Sequence, residues 1–321
     1  LVLILNACNT VMMMLLMIAV GFWAAGKPWF GDQGAGVFSK CLVHISIPCY
    51  LVSTLLERIS SREQLIQIFF QVPIPAISIL LSLGVASILA HLLHIKRGRK
   101  SIFTNAAGLS NTIIIGFPIV IALFGEDAAF TGMSYYMANT LIFWALGVLL
   151  IRQEKTGSRF RVDREMFRGI FSPPMIALLL GMLVVFSGIR LPFFLQNAIS
   201  TIGKANSPMA MIFIGGIMRR SNIRDCGLGR DTWVLLLMRF LCAPAIMLLL
   251  LKFFPVAHET QVVFFVLSTM PAMTQLGIMA KEYDCDYAYA SMVITLTTAV
   301  SLVAIPLYSI FIEYAPTWVW I

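Results

Sequence analysis

The sequence predicts an all-α membrane protein of about ten transmembrane helices. Three observations carry that expectation. Of 321 residues, 59% are hydrophobic and only 12% are charged, with a mean hydropathy of +0.89. A soluble domain would be about 45–50% apolar and about 25% charged. Apolar runs of about 20 residues recur along the chain, each long enough to cross a hydrocarbon layer about 30 Å thick. The basic residues fall in short connections between those runs, so the formal net charge of +8 reads as membrane topology rather than as nucleic-acid binding.

The runs place spans near residues 2–25, 37–57, 65–93, 101–125, 128–151, 173–189, 204–219, 231–254, 260–282 and 286–312. Lys27-Pro28, the Lys96–Lys100 cluster, residues 152–169 and Arg219–Arg230 separate them. Residues 192–203 read as a short interfacial piece before the seventh span. No basic region precedes the first run, so no cleaved signal peptide is expected. Counting Lys and Arg on alternate connections gives seventeen on one side and five on the other, with Arg239 inside a span. The richer side, including 152–169, is expected to be cytoplasmic, which puts both termini outside. The six cysteines are scattered without a CxxC pair, so neither a metal site nor a disulfide framework is expected.

Five spans precede the basic 152–169 segment and five follow it. An odd number per half inverts one half relative to the other. Weak echoes run in matching order: His44–Pro48 in the second span with Lys204–Pro208 in the seventh, and Pro75-Ala76-Ile77 in the third with Pro244-Ala245-Ile246 in the eighth. The expected division is a first repeat over 1–151, a linker over 152–172 and a second repeat over 173–321. Inverted repeats are a hallmark of secondary transporters.

The fourth span reads Ser110-Asn111-Thr112-Ile113-Ile114-Ile115-Gly116-Phe117-Pro118, and the ninth Ser268-Thr269-Met270-Pro271-Ala272-Met273-Thr274-Gln275-Leu276-Gly277. Pro removes an N–H and clashes with the preceding turn, so both helices are expected to kink or unwind at these prolines. Irregular backbone at membrane depth survives only when buried in protein or lining a wet cavity. Interrupted helices in corresponding positions point to a transporter binding site. The N-termini of the following half-helices attract anions. Asn111, Thr112, Thr274 and Gln275 are expected to donate hydrogen bonds to a carboxylate.

The Ser110–Pro118 stretch followed by Ala122-Leu123-Phe124-Gly125, with Met270-Pro271 leading to Ala280-Lys281-Glu282-Tyr283, resembles the motifs of the auxin efflux carrier family. The resemblance covers essentially the whole chain. It implies ten helices in two inverted repeats, with broken helices 4 and 9 crossing at their prolines. It implies a scaffold of helices 1, 2, 6 and 7, a moving domain of helices 3–5 and 8–10, and a homodimer. Family substrates are organic anions, either auxin or dicarboxylates of the malate or malonate kind. Plant members carry a long hydrophilic central loop. The short 152–169 segment favours a bacterial-type carrier.

On that resemblance Asn111 matches the asparagine of the fourth-helix motif, and Pro118 and Pro271 match the crossover prolines. Asn139, Tyr135 and Tyr136 in the fifth span are further candidates to face the cavity or to pack helices. Arg239, about 12 Å into the eighth span at 1.5 Å per residue, is expected either to meet an anionic substrate or to snorkel to the surface. Lys204 and His44, one turn before Pro208 and Pro48, line the cavity on one reading. On the other, Lys204 is an interfacial anchor and His44 a core imidazole. No Asp or Glu sits at a span centre, so no proton-carrying carboxylate is expected. Uniport driven by membrane potential, or sodium coupling through carbonyls at the breaks, is expected instead. No other cofactor is implied. A membrane enzyme is disfavoured: Gly108-Leu109-Ser110 has no His partner in a later span, and Asp284 and Asp286 are too few for a metal-dependent transferase. A sensor with the same fold remains the rival function, since fold does not fix activity.

Overall fold

In the computed structural model, residues 2–58, 62–156, 171–189, 191–220, 229–315 and 319–320 are described. Among them the backbone is helical, with no strand beyond one isolated bridge. Helix α1 is Val2–Ala24. Helix α2 runs through Gly31–Cys41, a π-turn at Leu42–Ser46 and Ile47–Arg58. Helix α3 joins Arg62–Gln71 to Pro73–Leu92. Helix α4 is Lys100–Gly108, and α5 is a π-turn at Thr112–Gly116 continued by Phe117–Phe124. Helix α6 comprises Glu126–Ile142, a π-turn at Phe143–Gly147 and Val148–Thr156. Then come α7 (Pro173–Ser187), α8 (Phe193–Lys204) and α9 (Asn206–Arg220). Helix α10 links Arg230–Leu237, a π-turn at Met238–Cys242 and Ala243–Leu251. Last are α11 (His258–Ser268), α12 (Gln275–Glu282) and α13 (Tyr287–Tyr314).

A helix lies along each of the ten apolar intervals, and α8 fills the short segment before the seventh. Among the described residues, five helices are long and apolar enough to cross a membrane: Gly36–Glu57, Glu63–Leu92, Glu126–Glu154, Arg230–Leu251 and Tyr287–Tyr314. The fourth and ninth intervals fall short because each is split in two. Most of the linker segment, residues 157–170, and Arg190 lie outside the described residues.

Two of the half-helices, α4 and α11, find their place through burial. Every residue of α4 from Ser101 to Gly108 and of α11 from Thr260 to Ser268 is buried. Exposed apolar side chains instead stud the intact helices, as at Leu16 and Val20, Leu80 and Ile88, Leu180 and Leu183, Leu237 and Leu241, and Val303 and Leu307. That surface suits lipid, and it wraps the split helices in protein. Irregular backbone is tolerated at membrane depth only in such an enclosure. Within the bundle α1 packs along α9, and α7 and α8 pack along α2. Helix α3 packs against α4, α6 and α10, while α11 lies between α6 and α10.

Three π-turns are each followed, one residue later, by a proline: Pro48, Pro118 and Pro244. The wide turn replaces the usual ladder with bonds such as Phe117 N–H to Thr112 O and Ala243 N–H to Met238 O. This loosens the turn where the pyrrolidine ring would meet the carbonyl four residues back. Pro118 therefore does not break its helix, contrary to the sequence expectation. The break lies upstream at Leu109–Asn111. Pro271 does sit in its break, between Ser268 and Gln275.

At the end of α4 nearest the basic cluster, Glu154 of α6 accepts hydrogen bonds from the N–H groups of Gly98 at 2.7 Å, Lys100 at 3.1 Å and Ser101 at 2.7 Å. A carboxylate there satisfies otherwise orphaned donors and complements the helix dipole. Arg99 pairs with Asp286 at 2.5 Å, which ties the same corner to the start of α13.

Helices α1 and α9 approach closely through paired glycines. A Cβ on Gly21 would lie 2.0 Å from the Ile212 carbonyl oxygen, and one on Gly215 would lie 2.0 Å from that of Ile18. Small residues let membrane helices touch backbone to backbone. Gly215→Val should force the pair apart at a cost of about 1–3 kcal/mol and lower the melting temperature in detergent by several degrees. Gly216→Ala, whose first neighbour would be 3.7 Å away, should leave it unchanged. Equal melting for Gly215→Val and the wild type would remove the close approach.

Candidate functional site

The two breaks meet. Ser110 and Ala272 form an antiparallel bridge, and Asn111 N–H donates to the Pro271 carbonyl at 2.9 Å. Leu109, Ser110, Thr269, Met270 and Ala272 are fully or almost fully buried, so each polar backbone group here needs a partner from the protein.

The partners come from neighbouring helices. On α6, Asn139 Oδ1 accepts Ser110 N–H at 3.0 Å and Asn139 Nδ2 donates to Ser110 O at 2.9 Å. One amide thus takes both backbone groups of the residue at the centre of the first break. On α13, Thr297 Oγ1 accepts Ala272 N–H at 3.2 Å and itself donates to Val293 O at 2.8 Å. Each break is held by the last helix of its own half of the chain.

The third partner is Arg239, which is fully buried. It occupies the π-turn of α10, a kind of turn that often marks functional positions. Its Nε donates to Met270 O at 2.7 Å and its Nη1 to Ala107 O at 3.0 Å. Its Nη2 donates to Ser110 Oγ at 2.5 Å and to the Ser268 carbonyl. Ala107 and Ser268 belong to the last turns of α4 and α11, whose carbonyls lack helical partners. A cation is favoured at a helix C-terminus, and Arg239 serves two C-termini and both breaks at once. The snorkelling expectation is therefore corrected: the side chain turns inward because four protein oxygens offer it better ligands than the distant surface.

At the opposite ends of the breaks the first N–H groups turn back on the chain, Thr112 N–H to Ser110 O and Gly277 N–H to Thr274 O, but the cap side chains are unused. Asn111 and Thr274 are the N-cap residues of α5 and α12, and neither makes a side-chain capping bond. Asn111 is 2% exposed and its Nδ2 has no hydrogen-bond partner. A buried donor left unmade costs about 1–3 kcal/mol, which a ligand acceptor would recover. Thr112 is buried beside it. Thr274 and Gln275 are half-buried and begin α12.

Of the adjacent tyrosines on α6, Tyr135 reaches the crossing, its hydroxyl 3.3 Å from Ser110 Oγ. Tyr136 packs on the Phe117 ring at 6.2 Å instead. Helical spacing alone does not separate them, because Asn139 is four residues from Tyr135 and three from Tyr136, and both spacings share a face. Ser110 and Thr297 were not singled out; only the rule that a break must be satisfied points to them. His44 is exposed rather than a core imidazole. Lys204 is exposed and lines a cavity of about 240 Å³ together with Tyr50, Pro118, Glu126, Ser207 and Met211. That volume holds several waters, hence a small solute. A smaller apolar cavity of about 30 Å³ shares Met211 and reaches Ile115, Ile119, Thr298 and Ser301. No cluster of His, Cys, Asp or Glu able to hold a metal occurs among the described residues.

The profile of the membrane transport protein family matches residues 7–309. An uncharacterized transporter of Methanothermobacter thermautotrophicus is 27% identical over 318 residues, covering 95% of this chain and 98% of its own length. An uncharacterized transporter of Methanocaldococcus jannaschii is 21% identical over 307 residues, covering 94% of this chain and 97% of its own length. The motif resemblance and these matches agree over nearly the whole chain, and the protein belongs to this family of membrane transporters, the auxin efflux carrier family.

Proposed function

We propose that the protein is a secondary carrier of small organic anions, with the substrate carboxylate held where the two broken helices cross. The observation that carries this reading is the presence of two buried, uncompensated groups at one crossing, Arg239 and Asn111. A buried guanidinium is bound only to neutral oxygens, and beside the same crossing a buried amide donor is unused. A buried cation without a counter-ion is costly. An anion beside the uncapped N-terminal ends of α5 and α12 offsets that cost. Asn111 and Thr112 donate to it from one half, Thr274 and Gln275 from the other, and the half-helix dipoles add to them.

Several features support an inverted repeat of ten spans and an elevator motion. Under exchange of the two halves, the α1–α9 contact becomes the α7–α2 contact, and both pairs are prominent in the bundle. The same exchange turns the Asn139 clamp on the first break into the Thr297 clamp on the second. In this reading α1, α2, α7 and α9 form a scaffold. Helices α3–α6 and α10–α13 form the moving body, and the cavity between Pro118 and Lys204 is the space between the two. The protein works as a homodimer in the cell membrane with 152–169 in the cytoplasm, and its transport is uncoupled or sodium-coupled.

Thermal stabilisation of the detergent-purified protein by mono- and dicarboxylates, with and without sodium, should pick out one carboxylate class. Asn111→Ala should keep the ligand-free melting temperature, because it removes a side-chain donor without a partner, and should lose the stabilisation. Stabilisation that survives this change would remove Asn111 from the site. Asn139→Ala should lower the ligand-free melting temperature by several degrees, since it leaves the buried Ser110 N–H unsatisfied at about 1–3 kcal/mol and leaves Ser110 O with Thr112 N–H alone. Melting as in the wild type would show that the break does not depend on the clamp.

A further inference from the structure

Arg239 has a consequence for voltage that its role in holding the breaks does not require. A guanidinium remains protonated in proteins. All four of its hydrogen-bond acceptors are neutral. Among the described residues no carboxylate forms an ion pair with it. The Arg99–Asp286 pair lies at the opposite end of α4, a nine-residue helix about 13 Å long. Because the guanidinium binds α4, α11 and both breaks, the charge cannot stay behind when the crossing moves.

We propose that Arg239 makes the empty carrier the voltage-sensitive form and the carrier loaded with a monovalent carboxylate the neutral one. The inference rests on the carrier reading above. In the empty form the moving site carries one uncompensated positive charge. A bound monocarboxylate brings one negative charge and cancels it, whereas a dicarboxylate leaves the loaded form with a net negative charge. The electrical work is about 2.3 kcal/mol per charge per 100 mV, equivalent to a bias of up to about 50-fold per 100 mV if the charge crosses the whole field. With the cytoplasm negative, the empty cationic site is drawn to face the cytoplasm. The carrier there waits to load from inside, releases outside after an electrically silent step, and is pulled back by the potential. Net transport of a monocarboxylate is then outward, and the resting potential acts on the return.

The first recording needs no substrate. Voltage steps applied to the purified, reconstituted wild-type protein in carboxylate-free buffer should produce a saturable transient charge movement of up to one elementary charge per protomer. The movement should shrink as a stabilising monocarboxylate from the thermal panel, with lactate as the first probe, is added at saturation. No charge movement from protein that binds a carboxylate in the thermal assay would overturn this proposal and leave the carrier reading standing. No charge movement together with no carboxylate binding would defeat both. In Arg239→Gln, which keeps an amide donor toward the breaks, the movement should vanish. The same charge in that variant would assign it to another group and overturn the proposal. If the variant does not fold, the wild-type recordings with and without lactate decide the matter alone.

Discussion

Two interrupted helices meeting at membrane depth leave backbone groups that lipid cannot satisfy, and much of the structure answers that one demand. An unpaired peptide group in hydrocarbon costs several kcal/mol. Arg239 supplies four of its five donors to the carbonyl side of the crossing. Asn139 and Thr297 hold the central residues of each break. The enclosure of α4 and α11 on all sides and the lipid-suited faces of the intact helices follow from the same need. The asymmetry of the solution gives the site its chemistry. A cation holds the carbonyl ends, while Asn111 Nδ2 at the start of α5 has no partner; in the proposed reading an anion takes that donor.

The surrounding helices adapt to prolines without breaking. A π-turn ahead of Pro48, Pro118 or Pro244 gives the ring room. In α10 the same turn also carries Arg239. The residues from Thr112 to Pro118 thus divide into an N-terminal end without a side-chain cap at the crossing and a proline that lines the wider cavity beside Lys204.

Much of the fold was legible in hydropathy alone, because crossing a bilayer imposes length and composition together. Helices occupy every interval the apolar runs marked, and the short piece before the seventh interval is helical too. The breaks were legible in outline and displaced in detail. Pro271 lies in its break, but Pro118 lies seven residues beyond Asn111, since a π-turn accommodates a proline that a strict α-helix would not. Arg239 was visible as a charge inside a span. Its role was hidden, because its ligands come from α4 and α11, far away in the chain. The choice between Tyr135 and Tyr136 turned on helical phase relative to Ser110, which a local reading could not supply. His44 faces outward, and its position one turn before a proline carried no information about burial.

Arg239 holds the carbonyl side of the crossing, and in the proposed reading an anion takes the other side. A structure of the protein with its stabilising carboxylate bound tests this most directly. Density is expected within hydrogen-bond reach of Asn111 Nδ2 and beside the N-terminal ends of α5 and α12, with Arg239 still bound to the Met270, Ala107 and Ser268 carbonyls. A carboxylate seated directly on a guanidinium that has left those carbonyls, or held only beside Lys204, would contradict it.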